Sequence, residues 1–234
     1  MMKDLLGRAI LDYQIRKKPV FVDTCTNLTD WDELEIAYFF RDYQSMPKIE
    51  QTALNLCKGK TLDVGSGAGS HTLYLQQKGT EIKAIDVSEH AVKACENRGI
   101  KNVCCQNVLD VTEKYDTILM LMNGTGIFQT LEKTSAYLQL LQSLLNDGGQ
   151  ILIDSSDLIY LFDEDEDGSK WIPYSGKYYG ELDFTIQYEN EEESFPWLYL
   201  DFNTLKRVCE ANQLYCELIV EGENYDYLAR ITKG

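Results

Sequence analysis

The chain has 234 residues and carries 38 Asp and Glu against 22 Lys and Arg, a formal net charge of −16. That length suits one generous domain with its own core, and the acidic balance, with no basic stripe to counter it, argues against nucleic acid as a partner. The seven cysteines are scattered and odd in number, so a disulfide framework is not expected and the thiols read as small hydrophobes of a reducing, cytoplasmic protein. No stretch has the length of a membrane span, and the first residues lack the apolar run of a signal peptide.

In chain order, Leu6, Ile10 and Tyr13 share one face of a helix expected over about residues 3–16, which breaks at Pro19. A second helix is expected from Ser45 and Pro47 to Gly59. A strand over 60–65 then leads through a glycine turn into a helix over 69–78, closed by Gly79. A strand over 82–86 precedes a helix N-capped by Ser88 and running to Gly99. Short strands follow at 102–106 and 116–122, then a helix over 131–146 that stops at DGG, then the strand QILIDS. This alternation predicts an α/β fold with a doubly wound, mostly parallel sheet. After a helix at 202–212, YCELIVEG and YDYLARIT read as an antiparallel hairpin, because no crossover helix fits between them.

About 45 residues separate the fifth core strand from that helix. Their aromatic and acidic alternation, as in KYYGELDFTIQYENEEE, predicts an added strand pair, a β-rich insertion placed as a lid at the ligand end of the sheet. The whole chain is read as one domain: a helical cap over 1–58, a cofactor-binding core over 59–154, a lid or substrate insertion over 155–200, and a terminal helix and hairpin over 201–234. Within the insertion, Asp163, Asp165, Asp167 and Gly168 match the first positions of a calcium loop, but position 12 is Tyr174 where a bidentate Glu is needed. A solvated acidic turn is the expectation, and no metal site is assigned.

The motif that carries chemistry is TLDVGSGAGSHTL. Its glycines, Gly65, Gly67 and Gly69, are spaced G-x-G-x-G, whereas a dinucleotide fingerprint places a third glycine where this chain has Ser70. Asp63, two residues before the first glycine, would repel a pyrophosphate and favour a cation. Asp86 ends the second strand 21 positions after Gly65, where a carboxylate can accept both ribose hydroxyls.

D-x-G-x-G-x-G at 63–69, Asp86 and the QNVLD segment resemble the class I S-adenosylmethionine-dependent methyltransferases. The resemblance spans residues 45–155 by motif and reaches the terminal hairpin by topology, implying a seven-stranded sheet whose last strand is antiparallel. It implies S-adenosylmethionine as cofactor and S-adenosylhomocysteine as product. Asp63 would lie near the amino group of the methionine part, Gly65, Ser66 and Gly67 would pass beneath the cofactor, and Asp86 would hold the ribose. Asn107 stands where the family often has an Asp beside the adenine amine, and an amide oxygen can accept the same hydrogen bond. Val87, Val108 and Met122 complete the implied cofactor set. A cofactor with a sulfonium, an ammonium and no phosphate suits an acidic, small-residue turn.

The expected partner is a small-molecule methyl acceptor, with no nucleic acid and no membrane. Candidate acceptor-side residues are His71 at the start of the first core helix, Asn123 after the fourth strand, and Asp154 and Asp157 with Ser155 after the fifth. Tyr178, Tyr179 and Trp197 in the insertion could wall an apolar acceptor. Arg41 could meet a ligand carboxylate or form a surface ion pair. Gly124-Thr125-Gly126 after Asn123, in place of Pro-Pro-aromatic, argues against the branches that methylate adenine N6 or glutamine. A nicotinamide-dependent oxidoreductase and a non-catalytic cofactor-binding module remain as alternative readings of the same residues.

Overall fold

A computed structural model describes residues 3–172 and 176–234. The core is a seven-stranded sheet in which β3 (Thr61–Val64) is flanked on one side by β4 (Ile82–Asp86) and β5 (Val103–Cys105). On the other side lie β6 (Tyr115–Met120), β7 (Leu145–Ser156), β11 (Asp226–Lys233) and β10 (Leu214–Glu221), in that order. All core pairs are parallel except those that β11 makes with β7 and β10. The expected doubly wound sheet and antiparallel last strand are therefore present. The chain runs outward from β3 to β5 and then returns to β6 on the opposite flank, so the sheet reverses direction between β3 and β6. A crevice at the carboxyl ends of these strands is where ligands bind in open α/β sheets.

The central strands are apolar on both faces because both are covered. One face packs under α5 (Leu131–Ser143) and α6 (Phe202–Ala211), with Phe128, Leu138, Leu141 and Leu205 fully buried. The other carries α2 (Lys48–Leu56) and α3 (Ser70–Gln77), whose Ile49, Ala53 and Leu75 meet Leu119, Leu152 and Leu228. Helix α4 (Glu89–Asn97) begins as expected, with the Ser88 hydroxyl accepting from Ala91 N at 2.9 Å.

Three boundaries differ from expectation. Residue Ser45 ends a short 3₁₀ turn capped by Asp42, and α2 starts after Pro47. Helix α5 ends at Ser143, so Asp147, Gly148 and Gly149 fall at the start of β7. Strand β6 stops at Met120 because Met122 and Asn123 adopt left-handed backbone, φ 66° and 62°.

The N-terminal segment supplies α1 (Leu5–Arg16) and α2, and adds a hairpin that the sequence pattern did not show: β1 (Phe21–Thr26) and β2 (Thr29–Glu35). The insertion forms the expected strand pair, β8 (Glu181–Tyr188) and β9 (Glu191–Leu198). The two hairpins join through β1 and β8 into a second, antiparallel sheet ordered β2-β1-β8-β9. The N-terminal segment and the insertion thus share one sheet. Helix α1 fills the space between this sheet and α4, its Leu5, Ala9 and Ile10 meeting Val22, Ile36 and Ile186 on one side and Ala94 of α4 on the other. Its first turn is capped from far away in sequence, as the Glu193 carboxylate accepts from the backbone N–H of Lys3 and Leu5, both at 2.7 Å.

The acidic turn over 163–168 is closed internally, with Asp165 N donating to Ser169 O at 2.9 Å and Ser169 N donating to Asp167 Oδ1 at 3.0 Å. Tyr174, at position 12 of the calcium-loop pattern, lies outside the described residues. Among the described residues no group of three His, Cys, Asp or Glu is placed to hold a metal ion. None of the described helices is long and apolar enough to cross a membrane.

The last glycine of the turn is held by packing. A Cβ on Gly69, at φ 77°, would come within 2.2 Å of Ile100 Cδ1 and 2.8 Å of Cys95 Sγ. We predict that Gly69→Ala lowers unfolding free energy by about 2 kcal/mol or more, from left-handed strain plus overpacking. Gly79→Ala, also left-handed at φ 83° but with open space around its Cβ, is expected to cost only about 1 kcal/mol in the same urea titrations.

Candidate active site

Strand β3 delivers Asp63 and the turn to the carboxyl end of the sheet. The turn is pinned to β4, since Gly65 N and Ser66 N both donate to Ile85 O, at 2.9 and 3.1 Å. Behind it, Cys95 Sγ of α4 donates to Gly67 O at 3.2 Å. The opposite side of Gly67 is open: at φ 52°, a Cβ there would meet nothing within 4 Å. Backbone is thus accessible on that side of the turn, at the carboxyl end of the sheet.

The two carboxylates differ in surroundings. Asp63 is buried and accepts from Thr72 Oγ1 of α3. Burial pushes its carboxyl pKa up, while His71 and the Thr72 hydrogen bonds pull the other way. Asp86 holds the turn and the next helix together, accepting from Gly67 N at 2.8 Å and Ser88 N at 2.9 Å. Burial raises its pKa against those two bonds, yet part of the residue stays accessible. Each of its oxygens retains a lone pair for a hydroxyl donor.

Beside Asp86, Val87 is half exposed. Asn107 lies at the surface with its side-chain oxygen accepting from Leu109 N at 2.9 Å. Val108 belongs to the buried core, and its neighbour Leu109 is the exposed apolar group here. Val87 and Leu109 thus offer apolar surface beside the Asp86 carboxylate. Leu109 was missed in the sequence, where it is indistinguishable from a core Leu.

Met122 and Asn123 follow β6. Asp154, at the end of β7, accepts from Met122 N and Gly124 N, both at 2.9 Å, and so fixes their left-handed backbone. Burial drives the Asp154 carboxyl up to about 7 in spite of those two bonds, with Glu50 adding to the rise and His71 opposing it.

On the acceptor side, the arrangement departs from sequence expectation at Arg41. The guanidinium is buried, and it pairs with the Glu50 carboxylate of α2, whose other oxygen lies 2.6 Å from His71 Nε2. The Arg41 guanidinium also stacks over the Tyr38 ring at 3.8 Å. Its Nε is buried without a partner. Burial would lift the Glu50 carboxyl, but the hydrogen bond and charge of His71, with Arg41 behind them, outweigh it and hold the pKa below the usual carboxylate value. An ionised Glu50 can only accept, so His71 Nε2 carries a proton, and in the neutral form of the ring Nδ1 is then the acceptor. Glu50 was not singled out in the sequence because one Glu among helical Lys, Gln and Asn reads as a solvated face.

The remaining candidates hold one another. Asn123 donates to Leu198 O at 3.1 Å and accepts from Ser155 Oγ at 2.8 Å, binding the loop after β6 to the end of β9. Tyr178 OH donates to Asp201 Oδ2 at 2.7 Å, and Tyr179 OH donates to Asp157 Oδ1 at 2.6 Å. The Trp197 indole lies on Gly126, where any Cβ would strike the ring within 2.1 Å. These residues fasten the insertion to the core.

A reversing parallel sheet, a glycine turn with one bare face and two carboxylates at adjacent strand ends define an α/β nucleoside-cofactor enzyme. The methyltransferase domain family matches residues 57–230 of this chain. A solved S-adenosylmethionine-dependent methyltransferase from Bacteroides fragilis, in complex with S-adenosyl-L-homocysteine, is 43% identical with a TM-score of 0.92, over 99% of this chain and 95% of that one. One from Clostridium acetobutylicum ATCC 824 is 17% identical at TM-score 0.60, covering 96% of each chain. The sugar N-methyltransferase KedS8 from a Streptoalloteichus species is 13% identical at TM-score 0.59, over 83% of this chain and 87% of that one. The last two share the fold alone. Comparison with curated proteins gives no match. The chain belongs to the S-adenosylmethionine-dependent methyltransferases, and that membership decides against the nicotinamide and non-catalytic readings.

Two predictions follow from the buried charges. Glu50→Gln strands Arg41 in the interior and is expected to destabilise the fold by about 3–5 kcal/mol in urea unfolding. The folded pKa of Asp154 lies above its unfolded value, so its contribution to stability is full below about pH 4 and is lost as pH rises through about 7. Asp154→Asn should therefore flatten the stability profile between pH 4 and 7, measured by denaturation at successive pH values.

Proposed function

We propose that this methyltransferase acts on a small molecule whose acceptor atom gives up a proton, with His71 receiving it. Bound S-adenosylmethionine supplies a methyl group on a positively charged sulfur. The protein's task is to hold that group in line with the acceptor and to exclude water. In the proposed arrangement Asp63 serves the cationic methionine end, the bare face of Gly67 and the neighbouring Gly65 and Ser66 lie beneath the cofactor, and Asp86 takes the ribose. Val87, Asn107 and Leu109 border the base, with Val108 and Met122 behind them.

The observation that carries the proton role is the Glu50–His71 pair. Its carboxylate fixes the ring through Nε2 at 2.6 Å, the base-and-orienter arrangement of proton-transfer sites. As the acceptor heteroatom takes up the methyl group that the cofactor would supply, its proton would pass to Nδ1 of a neutral His71. Asp154, titrating near neutrality, is the second proton-accepting group in this neighbourhood. A small acceptor is favoured over a nucleic acid by the charge of −16 and by the acidic groups Glu50, Asp63 and Asp154 around the crevice. The seven cysteines are all free thiols, which supports a reducing, cytoplasmic setting.

Isothermal titration with S-adenosylmethionine is expected to show binding that Asp86→Ala weakens by about tenfold or more, with no binding of NAD. Release of S-adenosylhomocysteine across a panel of small amines and hydroxyl compounds then identifies the acceptor. On that acceptor His71→Asn should lower turnover by about 10²-fold or more while cofactor affinity holds. Unchanged turnover in His71→Asn would remove the proton role and leave the cofactor assignment standing.

A further inference from the structure

Behind the cofactor turn the surface of this acidic protein becomes basic. Two adjoining hollows, of about 460 and 490 Å³, share Phe40 and Arg98 as lining residues. The first is lined by Lys17 and Lys18 just beyond α1, by Tyr13, and by one acid, Glu35. The second adds Lys78, Arg41 and Tyr74, with Asp42 as its one acid. Five cations thus face two acids in a chain where acids outnumber cations by 38 to 22. Asp42 is moreover engaged, since it accepts from both Ser45 N and Ser45 Oγ.

Among the described residues, Lys17, Lys18, Lys78 and Arg98 form no ion pair with any carboxylate. On a surface this acidic, four unpaired cations around two neighbouring hollows that share Arg98 and Phe40 are not the pattern of solvated salt bridges. Arg98 is the centre of the arrangement and is held rigidly. Its Nη1 donates to Ala68 O at 2.5 Å and to Ser70 Oγ at 3.1 Å. The guanidinium lies over the Phe40 ring, 4.9 Å from its centroid, and Tyr13 supports the ring from 4.8 Å. The Nε and Nη2 edge makes no hydrogen bond among the described residues. That edge is the fork which binds phosphate or carboxylate through two parallel bonds. The walls are aromatic on both sides, with Tyr43 and Tyr74 stacked at 4.2 Å and Lys78 Nζ 5.4 Å from the Tyr74 ring.

We propose that these neighbouring hollows, with Arg98 between them, form a second ligand site, separate from the methyl-transfer crevice, for a small oligophosphate-bearing molecule gripped by Arg98 with Lys17, Lys18 and Lys78 around it. An extended polyanion fits better than a single phosphate because the cations are spread over two hollows with one fork at the junction.

The test uses the full chain saturated with S-adenosylhomocysteine, so that the cofactor crevice is closed to a nucleotide. Isothermal titration with inorganic tripolyphosphate, and separately with ATP, is expected to give saturable binding that weakens as salt is raised. Binding of both means that the phosphates suffice, and binding of ATP alone means that the aromatic walls hold a base. Lys17→Gln/Lys18→Gln, which changes two exposed side chains outside the crevice, should weaken the interaction by about tenfold with S-adenosylhomocysteine affinity unaltered. Lys78→Gln supplies an independent variant in the second hollow with the same expected direction. No saturable binding of either probe at millimolar concentration overturns the site, and so does binding that both variants leave at the parent's strength.

Discussion

The Glu50 carboxylate, buried between Arg41 and His71, is the constraint on which the rest of this structure turns. Each of the three residues comes from a different element. Arg41 ends the 3₁₀ segment that leaves the cap sheet, Glu50 sits in α2, and His71 begins α3 directly after the glycine turn. An ion pair with this degree of burial gives little net stability, because desolvation of both charges offsets their attraction. Loss of one member is costly, since it leaves a charge stranded. The triad therefore acts as a registration device, locking the cap to the helix that carries the cofactor turn and fixing the orientation of the His71 ring.

The same economy governs the turn itself. One carboxylate, Asp86, joins Gly67 to the start of α4. Another, Asp154, binds the backbone after β6 in a left-handed conformation. Both sit at strand ends and gather backbone N–H groups from loops that a parallel sheet cannot satisfy. Acidic residues thus build the floor of the crevice before they meet any ligand, and this accounts for how a chain so negatively charged keeps carboxylates buried without dense cation pairing.

The cap sheet shows how contacts across the whole chain close the domain. Strands β1 and β8 lie about 160 residues apart in sequence, and Glu193 in β9 caps α1. The insertion is consequently half of a sheet whose other half precedes the core. Its aromatic residues serve chiefly as fastenings: Trp197 lies on Gly126, and Tyr178 and Tyr179 bond Asp201 and Asp157.

By itself the sequence determined the core. The period of its apolar residues set helix against strand, the spacing of Gly65, Gly67 and Gly69 marked the turn, and Asp63 and Ser70 argued against a dinucleotide, because these are local patterns of conformation and charge. The β1–β2 hairpin was not legible, since TDWDELE is almost wholly exposed and lacks the alternation that marks a half-buried strand. Nor was the role of Glu50, whose helical neighbours are polar, or the bare face of Gly67 against the packed face of Gly69, two glycines alike in sequence. Only the tertiary structure decided these, because burial, partner and open space are properties of what packs against a residue, and the groups that pack here come from distant parts of the chain.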